Sequence, residues 1–279
     1  MSDAAVTLDV LFHGVLPSPH GYVYRPAGNR LVRTLRGFRG GSVPLPCLSF
    51  VLRHPTAGVI LVDTGFHPDL VEKGAADFGF PLRVIFRSVR PEPTAFGAQL
   101  RERGIDPGDV TQVVMTHLHG DHTSGMRLLP RAEFVVSAEE LRTARGRGAG
   151  TKGFVAGHLP EDARFRVVDI AGGEPFGPFA RSIDLLGDGS VRLLGTPGHT
   201  PGHLSVLVRT DDHGPVLLVG DAAYTRRSIA ERILPLLTDD DVAAQASLDA
   251  LHAYTQEHPE VVVIPTHDPD AWRELVATA

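Results

Sequence analysis

Thr116-His117-Leu118-His119-Gly120-Asp121-His122 decides how this chain is read. The stretch follows the apolar run 113–115 and precedes Thr123-Ser124-Gly125, so it reads as a loop carrying a strand into a helix. With this chain's His and Asp frequencies, H-x-H-x-D-H should arise by chance in roughly 0.003 of such sequences. Residues two apart on an extended segment point the same way, so His117 and His119 can grip one ion. Asp121 and His122, beyond the small Gly120, are placed to turn toward a neighbouring ion. Neutral imidazoles and carboxylates suit zinc, manganese, iron or cobalt. Four such groups within six residues exceed what one tetrahedral ion with an open position takes, so the local count points to two.

Three distant positions separate this pattern from a surface histidine cluster satisfied by hydrogen bonds. His199 lies in GTPGHTPGH (195–203) after the apolar run 191–194, Asp221 ends the run 216–219, and His267 in VVVIPTHDP (261–269) follows the run 261–264. Each sits where an α/β sheet presents residues at its strand ends. The chain has 279 residues, 14 histidines, one cysteine (Cys47), and two lysines (Lys73 and Lys152) beside 25 arginines. A single cysteine forbids an internal disulfide, a multi-cysteine zinc site and an iron–sulfur cluster. A net charge of −6 gives no footprint for nucleic acid, and the arginines at 25–39 and 142–147 read as solvated surface. No run approaches the roughly 20 apolar residues that span a bilayer. Asp3 and Asp9, with no Lys or Arg before Leu16, argue against a secretory signal, so the expected location is cytoplasmic.

Further apolar runs at 47–52, 59–62, 134–136 and 204–208 read as buried strands, and helical patterns cover 94–103, 138–145 and 241–257. Thr238, three residues before Asp241, fits an acidic capping box for the last of these. The order is that of an α/β protein. GVILVDTG (58–65) echoes GPVLLVGDA (214–222), and VVMTHLHGDH (113–122) echoes RLLGTPGHTPGH (192–203), which suggests two related halves facing each other. The segment 66–93 reads as a long irregular excursion. GAGTKG (148–153) matches G-x-G-x-x-G formally, but no strand precedes it, so it reads as a flexible loop.

H-x-H-x-D-H, then G-H, D and H, each at a strand end, resembles the ligand series of the metallo-β-lactamase-fold hydrolases. The resemblance spans nearly the whole chain, including LVDTG at 61–65. It implies one domain over 1–279, a four-layer αββα sandwich of two related halves with a dinuclear site along one edge. Carried over by position, His117, His119 and His199 hold one metal, Asp121, His122 and His267 the other, and Asp221 bridges them. Two divalent ions are implied, zinc foremost, with iron, manganese or cobalt also accommodated. Asp63 is implied as a supporting residue that orients a ligand, with a turn cap as its other reading. Asp221 at the bridging place, and a cysteine far off in sequence, disfavour β-lactamases that use a cysteine ligand. GDAAYT (220–225) sets Tyr224 three residues after Asp221, as in the N-acyl-homoserine lactonases of this fold, where a tyrosine lies over the reacting carbonyl. His203 is expected to be a hydrogen-bonded neighbour and not a ligand. His67, just after DTG, is a candidate substrate contact, and His13, His20, His54, His158, His213, His252 and His258 read as surface or loop residues.

The expected activity is opening of a small-molecule lactone, an N-acyl-homoserine lactone above all (quorum quenching), by water that two metals activate to hydroxide near pH 7. Tyr224 and one metal would steady the oxyanion, and Asp121 or a bound water would protonate the leaving alkoxide. An acyl tail is expected along 66–96 and 229–237. The competing readings are an aryl-ester or phosphotriester hydrolase on the same site, and a metal-holding sensor without turnover. Glyoxalase II is disfavoured because only 12 residues follow His267.

Overall fold

The computed structural model describes residues 6–80 and 82–277. Asp3, and Pro81 within the excursion at 66–93, lie outside the described residues. Two sheets carry the fold. The first contains β1 (Thr7–Pro19), β2 (Ser42–His54), β3 (Gly58–Val62), β4 (Arg90–Pro91), β5 (Gln112–Val114), β6 (Glu133–Ser137) and β7 (Arg164–Val168). The second contains β8 (Glu174–Phe176), β9 (Phe179–Asp184), β10 (Val191–Gly195), β11 (Leu204–Thr210), β12 (Gly214–Gly220) and β13 (Val262–Pro265). The first is ordered β4-β1-β2-β3-β5-β6-β7 and the second β13-β12-β11-β10-β9-β8. β3, β5, β6 and β7 run parallel, whereas the second sheet is antiparallel except for the β12–β13 pair.

Strand periodicity explains the layering. Neighbouring residues point to opposite faces of a pleated sheet, and both faces here are apolar. Ile60 and Val62 of β3, Val114 of β5, Leu193 of β10 and Leu218 of β12 meet in one buried cluster between the sheets. Their neighbours Leu61 and Val113 face outward onto the helices Phe96–Glu102 and Ala138–Ala144, with Phe96, Leu100 and Leu141. Leu194 and Leu217 face outward onto Leu248, Leu251 and Tyr254 of the helix Asp241–Glu257. Helix, sheet, sheet, helix is therefore the order of layers, the expected αββα sandwich. One member of each echoed strand pair lies in each sheet: β3 and β5 in the first, β12 and β10 in the second.

Two details differ from the expectation. The helix Asp241–Glu257 is capped by Asp240, which accepts from Val242 N and Ala243 N at 2.8 and 3.0 Å. Thr238 instead turns its hydroxyl to the Asp241 carboxylate, so the cap lies two residues later than the box predicts. Residues 146–157 pack against the histidine loop: a tight turn over Ala149–Lys152 leads to Gly153, whose carbonyl accepts from Gly120 N at 3.1 Å, and Phe154 bridges to His119.

Candidate metal centre

Every strand end named in the sequence analysis arrives at one edge of the sandwich. His117 lies three residues past β5, and His119 caps the short helix Gly120–Thr123 that contains Asp121 and His122. His199 follows β10, Asp221 directly follows β12, and His267 lies two residues past β13. The nitrogens of His117, His119 and His199 lie within 4.8 Å of one another, and so do the ligand atoms of Asp121, His122, Asp221 and His267. The first three rings form a near-equilateral triangle, with centroid separations of 4.7, 4.9 and 4.8 Å. Asp221 stands between the groups: Oδ2 is 3.5 Å from His199 Nε2 and 3.2 Å from His267 Nε2, and Oδ1 is 3.4 Å from His122 Nε2.

Buried polar atoms ordinarily find hydrogen-bond partners, and an orphan calls for a ligand. His117 Nε2, His122 Nε2, His199 Nδ1 and Asp221 Oδ1 are buried without one, and all four belong to residues of these two groups. Burial, reinforced by the neighbouring histidines, pushes His117 well below the ordinary histidine range; burial likewise depresses His199, against the pull of Asp221. Both are therefore neutral, the state in which a ring nitrogen donates to a metal. Burial also acts on His122, but Asp63, Asp221 and Asp121 outweigh it and hold this ring well above its usual range. Three carboxylates converging on buried rings make a pocket of negative charge that a divalent cation suits.

The surroundings fix how the rings point. Asp63 Oδ2 accepts from His122 Nδ1 at 2.8 Å, while Thr116 donates to the same carboxylate through its N–H at 2.8 Å and its hydroxyl at 2.7 Å. His267 Nδ1 donates to the Pro46 carbonyl at 2.7 Å, which leaves Nε2 toward the carboxylates. His203 Nε2 accepts from Asp221 N at 3.0 Å, and burial depresses this histidine to about 3. It is thus a hydrogen-bonded neighbour of Asp221, in neither ligand group.

A cavity of about 300 Å³ opens beside these atoms. Tyr224, 4 % exposed, lines it with its ring 5.9 Å from that of His199 and 5.3 Å from that of His267. The apolar wall is Leu16, Tyr22, Leu45, Leu82, Phe86 and Leu237. The expected tail path is thus corrected. Leu82, Phe86 and Leu237 come from the segments named, but Phe66 packs into the core beneath and Ile229 packs on the outer face of the second sheet. Leu16 and Leu45 come instead from the paired far ends of β1 and β2, beyond a register shift between Phe12 and Gly14.

A family model for the metallo-beta-lactamase superfamily matches residues 42–267. The chain belongs to that superfamily. Among similar proteins, the N-acyl homoserine lactonase AttM of Agrobacterium fabrum is 31% identical over 239 residues, covering 84% of this chain and 86% of that one. A probable metallo-hydrolase of Mycobacterium tuberculosis is 32% identical over 251 residues, covering 80% and 74%. Among solved structures, an N-acyl homoserine lactone hydrolase with N-hexanoyl-L-homoserine at its catalytic metal centre superposes with a TM-score of 0.76 at 22% identity, covering 97% of this chain and 96% of that one. That likeness confirms the metallo-β-lactamase fold.

Within this member of the superfamily, several side chains sit differently from expectation. His13, His54 and His158 are buried structural residues, not surface ones. His13 donates or accepts at Ser49 Oγ, 2.8 Å away, and packs so closely on Gly65 that a Cβ there would lie 2.3 Å from its ring. His158 joins Thr123 Oγ1 and the Asp77 carboxylate, each at 3.2 Å, and His54 caps the turn at Thr56 and Ala57. His67 caps the helix Pro68–Lys73 and does not line the cavity. Arg25 is not solvated surface: it grips the Pro235 carbonyl at 2.7 Å and the Asp241 carboxylate at 2.7 Å. Cys47, distant in sequence, packs in one apolar cluster with Tyr224, and burial holds its thiol protonated, outside both ligand groups.

Proposed function

We propose that this protein is a dinuclear metal-dependent hydrolase that opens N-acyl-homoserine lactones and so quenches quorum signals. The observation that carries this is Tyr224, set between His199 and His267 over an all-His/Asp site, together with relatives named as such lactonases. His117, His119 and His199 would hold one ion and Asp121, His122 and His267 the second, with Asp221 between them. The mixed nitrogen and oxygen donors suit zinc. Two bound ions would supply Lewis acidity toward the ester carbonyl and make water nucleophilic near neutral pH.

The chain's own residues do the rest. Burial, with Tyr22 and Asp221 nearby, raises the Tyr224 phenol well above its usual range, so it stays protonated and can donate to the oxygen on which charge develops. Asp121, 10 % exposed at the cavity wall, is the group through which a proton can pass to the departing alkoxide. Leu16, Leu45, Leu82 and Phe86 keep water from the acyl tail and give it an apolar path. We take the chain as one domain of two facing halves, because the ligand groups draw on both sheets. The same proposal includes a cytoplasmic location, which the single buried, free Cys47 suits.

The test is a panel of homoserine lactones, aryl esters and phosphotriesters assayed on purified protein, with metal content measured on the same sample. Lactone opening with about two metals per chain supports the reading. A full metal complement with hydrolysis of the other substrates alone overturns the lactone assignment.

A further inference from the structure

One wall of the cavity mouth is an ion pair. Lys152 Nζ lies 2.6 Å from Asp239 Oδ1, and both residues line the cavity. The two arrive from opposite sides. Lys152 ends the turn Ala149–Lys152, and the next residue, Gly153, packs on the His119 ring. Asp239 is bonded through its own N–H to the carbonyls of Gly198 at 2.9 Å and His199 at 3.3 Å. Behind it, Arg25 braces residues 235–238 by bonding Pro235 O and Thr238 Oγ1. The pair is therefore held beside the reacting centre by the very segments that carry His119 and His199.

Its placement does not suit a stabilising role. The Lys152 side chain is 50% exposed, and ion pairs that water reaches contribute little to folding. What the pair does offer is chemical. An ammonium has three donors, of which Asp239 takes one, and a carboxylate has about four lone-pair sites, of which Lys152 takes one. Lys152 thus keeps two donors for an acceptor oxygen of the substrate, while Asp239 holds the ammonium in place at 2.6 Å. In an α-acylamino lactone the amide nitrogen is bonded to the carbon beside the reacting carbonyl, so a group that reads the amide must stand next to the catalytic atoms, as this pair does.

Building on the lactone reading above, we propose that Lys152, oriented by Asp239, recognises the substrate's amide by donating to its carbonyl oxygen. The pair thereby selects N-acylamino lactones over lactones with a plain alkyl substituent.

The experiment compares N-hexanoyl-homoserine lactone with α-heptyl-γ-butyrolactone, which replaces the amide by two methylenes, on wild type, Lys152→Met and Asp239→Asn. Lys152→Met keeps the aliphatic stem and should lower kcat/KM about tenfold for the amide lactone, mainly through KM, and less than about twofold for the alkyl lactone. Asp239→Asn retains an acceptor oxygen and should cost the amide lactone about two- to threefold. An equal loss on both substrates, or no loss on the amide lactone, overturns the proposal. Wild-type protein that carries its metals and opens neither lactone overturns the lactone reading itself, and this inference with it.

Discussion

Asp63 and His122, 59 residues apart, share a buried hydrogen bond of 2.8 Å between the carboxylate and ring Nδ1. Asp63 is one of two non-glycine residues with positive φ among the described residues, at 58°, and that turn aims its carboxylate at three donors at once: His122 Nδ1, Thr116 N and Thr116 Oγ1. Aspartate and asparagine tolerate the left-handed region better than other side chains. Asp63→Asn therefore keeps the backbone and removes an acceptor, since its amide NH₂ must face a donor. Metal affinity should fall about 10- to 100-fold, read by competition with a chromogenic chelator. Unchanged affinity would mean that Asp63 is only a turn cap.

Tyr224→Phe removes one hydroxyl from the cavity and leaves every ligand atom in place. With the phenol as donor to the developing oxyanion, kcat should drop on the order of 100-fold. Metal content should stay at the wild-type level. Steady-state kinetics and metal analysis of one preparation separate the two, and a kcat within about twofold of wild type removes Tyr224 from the chemistry.

The sequence disclosed most of this centre because metal binding needs particular side chains at strand ends, and strand ends announce themselves as short apolar runs. All eight such runs fall in strands of the two sheets, save that Met115 lies just past the end of β5 and Val261 just before β13. What it concealed has physical reasons. β1 carries His13, Gly14, Pro17 and Pro19, and its register shifts beside Gly14, where a Cβ would lie 2.3 Å from the Arg90 carbonyl, so no clean alternation marks it. The wall residue Leu16 is hidden with it, and Leu45 stands between Pro44 and Pro46 ahead of the apolar run of β2. The burial of His13, His54 and His158, which read as surface or loop residues, is hidden because a lone histidine shows no partner in sequence, whereas Ser49, Asp188 and Thr123 meet them only in space. The glycine-rich segment hid its role because glycine signals freedom, and here it permits contact.

Gly153 tests that last point. Its φ is +106°, and an added Cβ would lie 2.6 Å from His119 Cδ2. Gly153→Ala must strain the backbone or displace the His119 ring, and should cost about 1–3 kcal/mol of stability while weakening metal binding. Gly150, three residues earlier, has open space around its Cβ position. Gly150→Ala should match wild type in both denaturant midpoint and metal content. Equal behaviour of the two variants would show that the segment yields freely around His119.

Glu140 ties the two ligand loops together and gives the protein a measurable pH signature. One carboxylate oxygen accepts from Leu118 N at 2.9 Å, between His117 and His119, and the other from Thr200 Oγ1 at 2.7 Å, beside His199. Burial outweighs these bonds and raises the group to about 7. A carboxyl whose folded pKa exceeds its unfolded value near 4.5 holds its proton more tightly when folded. Its stabilising contribution is complete below about pH 4.5 and is lost as pH rises through about 7. The loss amounts to a few kcal/mol over that window. Glu140→Gln is neutral at every pH, so the difference in unfolding free energy between wild type and variant should shift in the variant's favour between pH 5 and 8, by urea titration at each pH. Because glutamine presents one acceptor oxygen where glutamate presents two, it should still loosen one of the two loops, and metal affinity should fall at all pH values. A stability difference flat with pH would show that Glu140 titrates as an ordinary carboxylate despite its burial.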